Sequence, residues 1–133
     1  MFNKIDHVGI VVKNTEEIKN VFFNLFGFEV SESLINLDGG FKSTLISKDG
    51  ATLELIEPIA PDGIIAKFVE KHGLGLHHIS FQVDNLDRVI SLLRTKEAKL
   101  VTDEPQRVDE KSRVVFIHPH TTKGTLIELV ERE

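Results

Sequence analysis

The chain contains no cysteine. That excludes disulfide scaffolds, zinc–thiolate sites, iron–sulfur clusters and thiol nucleophiles. Tryptophan and tyrosine are also absent, and the nine phenylalanines carry no polar handle. Arginine is sparse, so an anionic ligand falls to lysines or backbone amides. No apolar run approaches the roughly 20 residues that span a bilayer. The first residues, Met1 to His7, lack a basic region followed by a long apolar stretch. No signal peptide is expected from them, and the cytoplasm is the expected location. A formal net charge of −5 argues against nucleic acid as a general partner, and nothing points to a membrane. What is present is ordinary for a globular protein: 133 residues, 41% hydrophobic and 28% charged. That length predicts one domain, residues 1–133, able to bury its own core.

The strongest internal signal is a duplication. Residues 5–14, IDHVGIVVKN, match residues 76–85, LHHISFQVDN. The match aligns His7 with His78, Val8 with Ile79, Ile10 with Phe81, Val12 with Val83 and Asn14 with Asn85. Further on, Gly50–Glu57 (GATLELIE) matches Gly124–Glu131 (GTLIELVE), aligning Glu54 with Glu128 and Glu57 with Glu131. Two copies are too few for a solenoid and fit a pseudo-twofold arrangement better.

Each copy reads strand, helix, then several strands. Residues 5–12 alternate as a strand does. Asn14 is placed to cap a helix, with Glu17 three residues on. Ile18, Val21, Phe22, Leu25 and Phe26 form one apolar helical face, and Gly27 ends it. Strands are predicted near 28–35, 41–47 and 51–57, with turns at Asp38-Gly39-Gly40 and Asp49-Gly50. In the second copy a strand at 77–83 leads to Asn85 and a helix carrying Leu86, Val89, Ile90 and Leu93. Strands near 98–102, 112–118 and 125–131 follow. Module one covers about 4–58, a connector 59–75 and module two about 76–131. The connector holds a short helix that packs Ile64, Ile65, Phe68 and Val69.

Strand parity carries the chemical argument. Val8, Ile10 and Val12 share the face that packs on helices, which leaves His7 and Gly9 on the other. In 77–83, Ile79, Phe81 and Val83 face the helices, leaving His78, Ser80 and Gln82 opposite. Leu53 and Leu55 leave Glu54 opposite, and Ile127 and Leu129 leave Glu128 opposite. A lone histidine at a strand start is usually structural, and a lone glutamate in a strand usually lies on a solvated face. Here the duplication predicts one His and one Glu per copy on the same side, so all four converge if the two copies curl together. Two imidazoles and two carboxylates suit a divalent metal with positions left for water or substrate. Co²⁺, Mn²⁺, Ni²⁺ and Zn²⁺ all fit that donor set.

These residues carry a family resemblance. The chain resembles the vicinal oxygen chelate superfamily (glyoxalase, bleomycin resistance and dioxygenase proteins), and within it the methylmalonyl-CoA epimerases. The resembling stretches are Ile5–Lys13, Leu53–Pro58, Ile65–Ile79 and Phe116–Val130, the last two being the more specific. The resemblance implies an α+β fold of two tandem βαβββ modules, forming a curved mixed sheet around a metal cleft. It places the metal ligands on His7, Glu54, His78 and Glu128, and it implies a homodimer. His77, of opposite parity to His78, reads as a partly buried neighbour of the site.

The implied activity is metal-dependent epimerisation of methylmalonyl-CoA or a related acyl-CoA thioester, by α-proton abstraction through a metal-stabilised enolate. Glu128 is the implied base on one face. The family's second base lies in a Glu-Gln-Gly-like motif. Here that stretch is Asn36-Leu-Asp38-Gly-Gly-Phe41, so Asp38 is the candidate second base or else part of a plain turn. His118 and His120 read as a polar loop or as a lining of the acyl channel, and Lys42 and Lys123 as possible partners of CoA phosphates. Two other functions fit less of the chain: a glyoxalase I-type lactoylglutathione lyase acting on a hemithioacetal, and a metal-free small-molecule binding protein.

Overall fold

A computed structural model describes residues 2–133. Met1, the first residue of the one-domain reading, lies outside the described residues. Eleven elements follow one another: β1 (Phe2–Val11), α1 (Thr15–Phe26), β2 (Glu29–Asn36), β3 (Phe41–Lys48), β4 (Ala51–Pro58), α2 (Ile64–His72), β5 (Gly75–Val83), α3 (Leu86–Thr95), β6 (Gln106–Asp109), β7 (Ser112–Ile117) and β8 (Ile127–Arg132). This is an α+β fold with the βαβββ order twice over. The chain forms two compact units, one spanning His7–His77 and the other His78–Glu133 with the start of β1 up to Asp6.

In the first unit the strands run β2-β3-β4-β1. β3 is antiparallel to both β2 and β4, and β1 is parallel to β4 with Gly9 opposite Glu54. Helix α1 starts at Asn14, whose side chain accepts from Glu17 N at 3.1 Å. It stops at Gly27, at φ 79°, where a side chain would be strained. Its face meets Val12, Ile46 and Leu55 through Ile18 and Phe22. The rest of the predicted apolar face, Val21, Leu25 and Phe26, is exposed, because the sheet covers only one side of a broad stripe. Helix α2 lies on the opposite face of the strands, where Ile65, Phe68 and Val69 pack on Val11 and Ile56. Ile64, expected in that contact, is exposed.

The second unit repeats the design with the order β5-β8-β7-β6. β8 is parallel to β5, with Ser80 opposite Glu128, and antiparallel to β7. Asn85 caps α3 by accepting from Arg88 N at 3.0 Å. Leu86, Val89 and Ile90 bury against Val83, Val115, Ile117 and Leu129. One predicted strand is displaced. Residues 98–102 make a single bridge, Leu100 with Ile117, and the pairing strand is β6, at 106–109. Pro105, with no N–H to give, separates the two. The start of β1 is fixed by Arg132, which donates from Nε and Nη2 to the two oxygens of Asp6 at 2.8 and 2.7 Å.

Candidate active site

Each unit carries one histidine–glutamate pair built by the same register. In a parallel pair, the histidine stands two residues before the partner of the glutamate, so both side chains leave on one face. In the first unit these are His7 on β1 and Glu54 on β4, with His7 Nε2 3.5 Å from Glu54 Oε1. In the second they are His78 on β5 and Glu128 on β8, with His78 Nε2 4.0 Å from Glu128 Oε1. His7, His78 and Glu128 are buried, and Glu54 is half-buried. Glu54 Oε2 accepts a hydrogen bond from Ser43 Oγ on β3 at 2.6 Å. Beside the second pair, the Phe116 ring stands edge-on to His78 at 5.6 Å.

The donor set fits a divalent ion. Imidazole nitrogen and carboxylate oxygen with no thiolate suit the borderline first-row metals. A carboxylate taken out of water needs positive charge beside it, which a dication supplies. Ser80, fully buried on the strand face that carries His78, has a hydroxyl with no hydrogen-bond partner.

Asp38 belongs to a different piece of structure. It is exposed on the turn at 37–40. Gly39 N donates to Asn36 Oδ1 at 2.7 Å, closing the turn. Its carbonyls then dock on the connector: Gly40 O accepts from Ile59 N at 2.8 Å, and Gly39 O from Ile64 N at 3.2 Å. The latter bond caps the start of α2, where Gly63 offers no side-chain cap. The approach is close enough that a Cβ on Gly63 would lie 2.6 Å from Gly39 O. The turn is therefore latched to α2 by backbone alone.

His77 is partly buried, as expected. It stands 4.6 Å from the Phe68 ring, and burial pushes its imidazole below the ordinary value, against the opposing pull of Glu54. His118 and His120 are exposed in a polar loop in which His120 N donates to His118 Nδ1. Lys123 is exposed at φ 62° in that loop. Lys42 lies on β3 between Ile35 and Glu57 in register.

Sequence reasoning missed three features. Glu57 and Glu131, aligned by the duplication but given no role, each accept from the first N–H of a helix: Thr15 N at 2.7 Å and Leu86 N at 2.9 Å. The hydrogen bond from Thr15 N holds the Glu57 carboxyl below its usual range, and that from Leu86 N does so for Glu131. Their alignment was the available signal. The Gly39–Gly63 latch and the Ser43 bond to Glu54 carried none.

The family model for the Glyoxalase/Bleomycin resistance protein/Dioxygenase superfamily matches residues 6–116. The chain is 28% identical to the mitochondrial methylmalonyl-CoA epimerase of Dictyostelium discoideum over 130 residues, covering 97% of this chain and 78% of that one. The crystal structure of methylmalonyl-CoA epimerase from Mycobacterium tuberculosis superposes with a TM-score of 0.91 at 32% identity, covering 99% and 89% of the two chains. A methylmalonyl-CoA epimerase solved in complex with methylmalonyl-CoA and NH4+ superposes at 0.89 with 31% identity, covering 99% and 96%.

Proposed function

The chain belongs to the Glyoxalase/Bleomycin resistance protein/Dioxygenase superfamily, and from that premise we propose that it epimerises methylmalonyl-CoA or a closely related acyl-CoA. It is an enzyme of the epimerase and isomerase kind. The observation that carries the substrate reading is the epimerase likeness running over 97% to 99% of the chain, together with a His–Glu pair in each copy. Relatives named for CoA thioesters favour that substrate over a hemithioacetal. The same reading treats residues 1–133 as one such domain, working as a cytoplasmic homodimer.

His7, Glu54, His78 and Glu128 would hold one divalent ion, Co²⁺, Mn²⁺, Ni²⁺ or Zn²⁺. Bound there, it supplies Lewis-acid stabilisation of the negative charge that develops on the thioester oxygen. The chain's own carboxylates move the proton. A Glu128 oxygen takes the α-proton as the Cα–H bond breaks and its electron pair passes toward the carbonyl. The proton that the Asp38 carboxyl carries at the start of the cycle would pass to Cα as the electron pair comes back from oxygen. Running the other way, the two carboxylates exchange roles.

The test is proton exchange. Metal-reconstituted protein with methylmalonyl-CoA in D₂O is expected to lose the α-proton while interconverting the epimers. Absence of exchange in protein shown to hold metal overturns the substrate assignment.

A further inference from the structure

The first copy contains a polar contact that the duplication does not repeat. Ser43 Oγ donates to Glu54 Oε2 at 2.6 Å, in the range of a hydroxyl donating to an ionised carboxylate. The other oxygen, Oε1, is the one 3.5 Å from His7 Nε2. Ser43 is opposite Ile56 in the β3–β4 ladder. The matching place in the second copy is Val114, opposite Val130, and a valine side chain has no donor. The terminal torsion of a glutamate is broad and close to two-fold. Left to itself, the Glu54 carboxylate would rotate and present either oxygen or both.

We propose that Ser43 is a positioning residue for metal binding, holding Glu54 by Oε2 so that Oε1 alone is presented beside His7. This rests on the metal reading above. The hydroxyl does two things. It fixes the carboxylate plane before an ion arrives, so less rotational freedom is lost on binding. It also engages the second oxygen, so that Oε1 is the atom turned toward His7. Partners of this kind, one bond removed from an ion, change affinity by about 10- to 100-fold when removed.

The test reads metal binding rather than turnover. Co²⁺ affinity is measured by competition with a chelator of known strength, for the wild type, Ser43→Ala and Ser43→Thr. The wild type is expected to bind. Ser43→Ala is expected to lose about 10- to 100-fold with its thermal unfolding little changed, and its bound Co²⁺ is expected to show an altered visible spectrum. Ser43→Thr, which keeps the hydroxyl, is expected to restore both affinity and spectrum. If the wild type binds and Ser43→Ala matches it in affinity and spectrum, the positioning role is overturned and the metal reading stands. If Ser43→Thr is as weak as Ser43→Ala, the hydroxyl is not the active feature, and the proposal again fails. If the wild type takes up no Co²⁺, the metal reading falls and the role of Ser43 falls with it.

Discussion

Removing the Glu131 carboxylate measures how the fold anchors the start of α3. Leu86 is the first residue of α3 and is fully buried. Its N–H donates to Glu131 Oε1 at 2.9 Å, while Arg113 donates to Oε2 from Nε at 3.1 Å and from Nη2 at 2.8 Å. Glu131→Ala leaves a buried N–H without its acceptor, a cost of about 1–3 kcal/mol. It also removes a negative charge from a helix N-terminus, worth about 0.3–1 kcal/mol. A total near 2–3 kcal/mol corresponds to roughly 8–12 °C in Tm for a chain of this size. Glu131→Gln keeps a neutral acceptor and is expected to lose about 1 kcal/mol. The pH dependence separates the charge from the contact. The Glu131 carboxyl is held below its ordinary value, first by the Leu86 N–H and then by Arg113. Its folded pKa thus lies under its unfolded one. The stabilisation is complete above the unfolded value, near 4.3, and disappears as pH falls through the folded value. Urea unfolding at pH 7 and at pH 4 and below should therefore show the gap between wild type and Glu131→Gln narrowing in acid. A gap that is equally wide in acid, or a Glu131→Ala variant within about 0.5 kcal/mol of wild type, refutes the reasoning. Glu57→Ala should behave alike, since Glu57 holds Thr15 N at 2.7 Å and its carboxyl is lowered by that bond.

Three further outcomes are expected. Gly63→Ala puts a Cβ 2.6 Å from Gly39 O and should cost about 1–3 kcal/mol by overpacking. Because the displaced turn carries Asp38, D₂O exchange from one epimer should slow more than from the other; equal slowing would separate Asp38 from catalysis. His78→Ala should release bound metal about 100-fold more readily or worse, read by metal analysis after dialysis against chelator. Light scattering should give the mass of two chains, and a single-chain mass would reject the dimer.

Much of this architecture was legible because its signals are local. Asn14 and Asn85 sit three residues before the N–H groups they accept from, and alternation along β1, β4, β5 and β8 places each His and Glu on its face. What was not legible depends on distant partners. Glu57 meets Thr15 42 residues away in sequence, and Glu131 meets Leu86 45 residues away. No period or cap motif spans such gaps. Residues 98–102 have strand-like composition, but against β7 they make an isolated bridge, Leu100 with Ile117, and not a continuous ladder. The outward half of the α1 stripe is a case of the same kind. Val21 and Leu25 satisfy the helical period as well as Ile18 and Phe22 do, and only the limited reach of the sheet decides which are buried.

The spacing of the two glutamates in each repeat links folding to chemistry. Glu54 and Glu57 are three apart on β4, so they leave on opposite faces. Glu57 joins Leu53 and Leu55 on the face covered by α1 and reaches the Thr15 N–H. Glu54 shares its face with Ile56, beside α2, and meets His7. Glu128 and Glu131 divide β8 in the same way, with Glu131 beside Leu129 and Glu128 paired with His78. A one-residue slip of either strand would turn every side chain to the other face. It would take Leu55 or Leu129 out of its core, strand a carboxylate under a helix and break the His–Glu pair in one step. The register that buries the leucines is thus the register that aims the glutamates. A sequence keeping two apolar residues and two carboxylates at this spacing has its helix anchor and its candidate metal ligand specified by a single strand pairing.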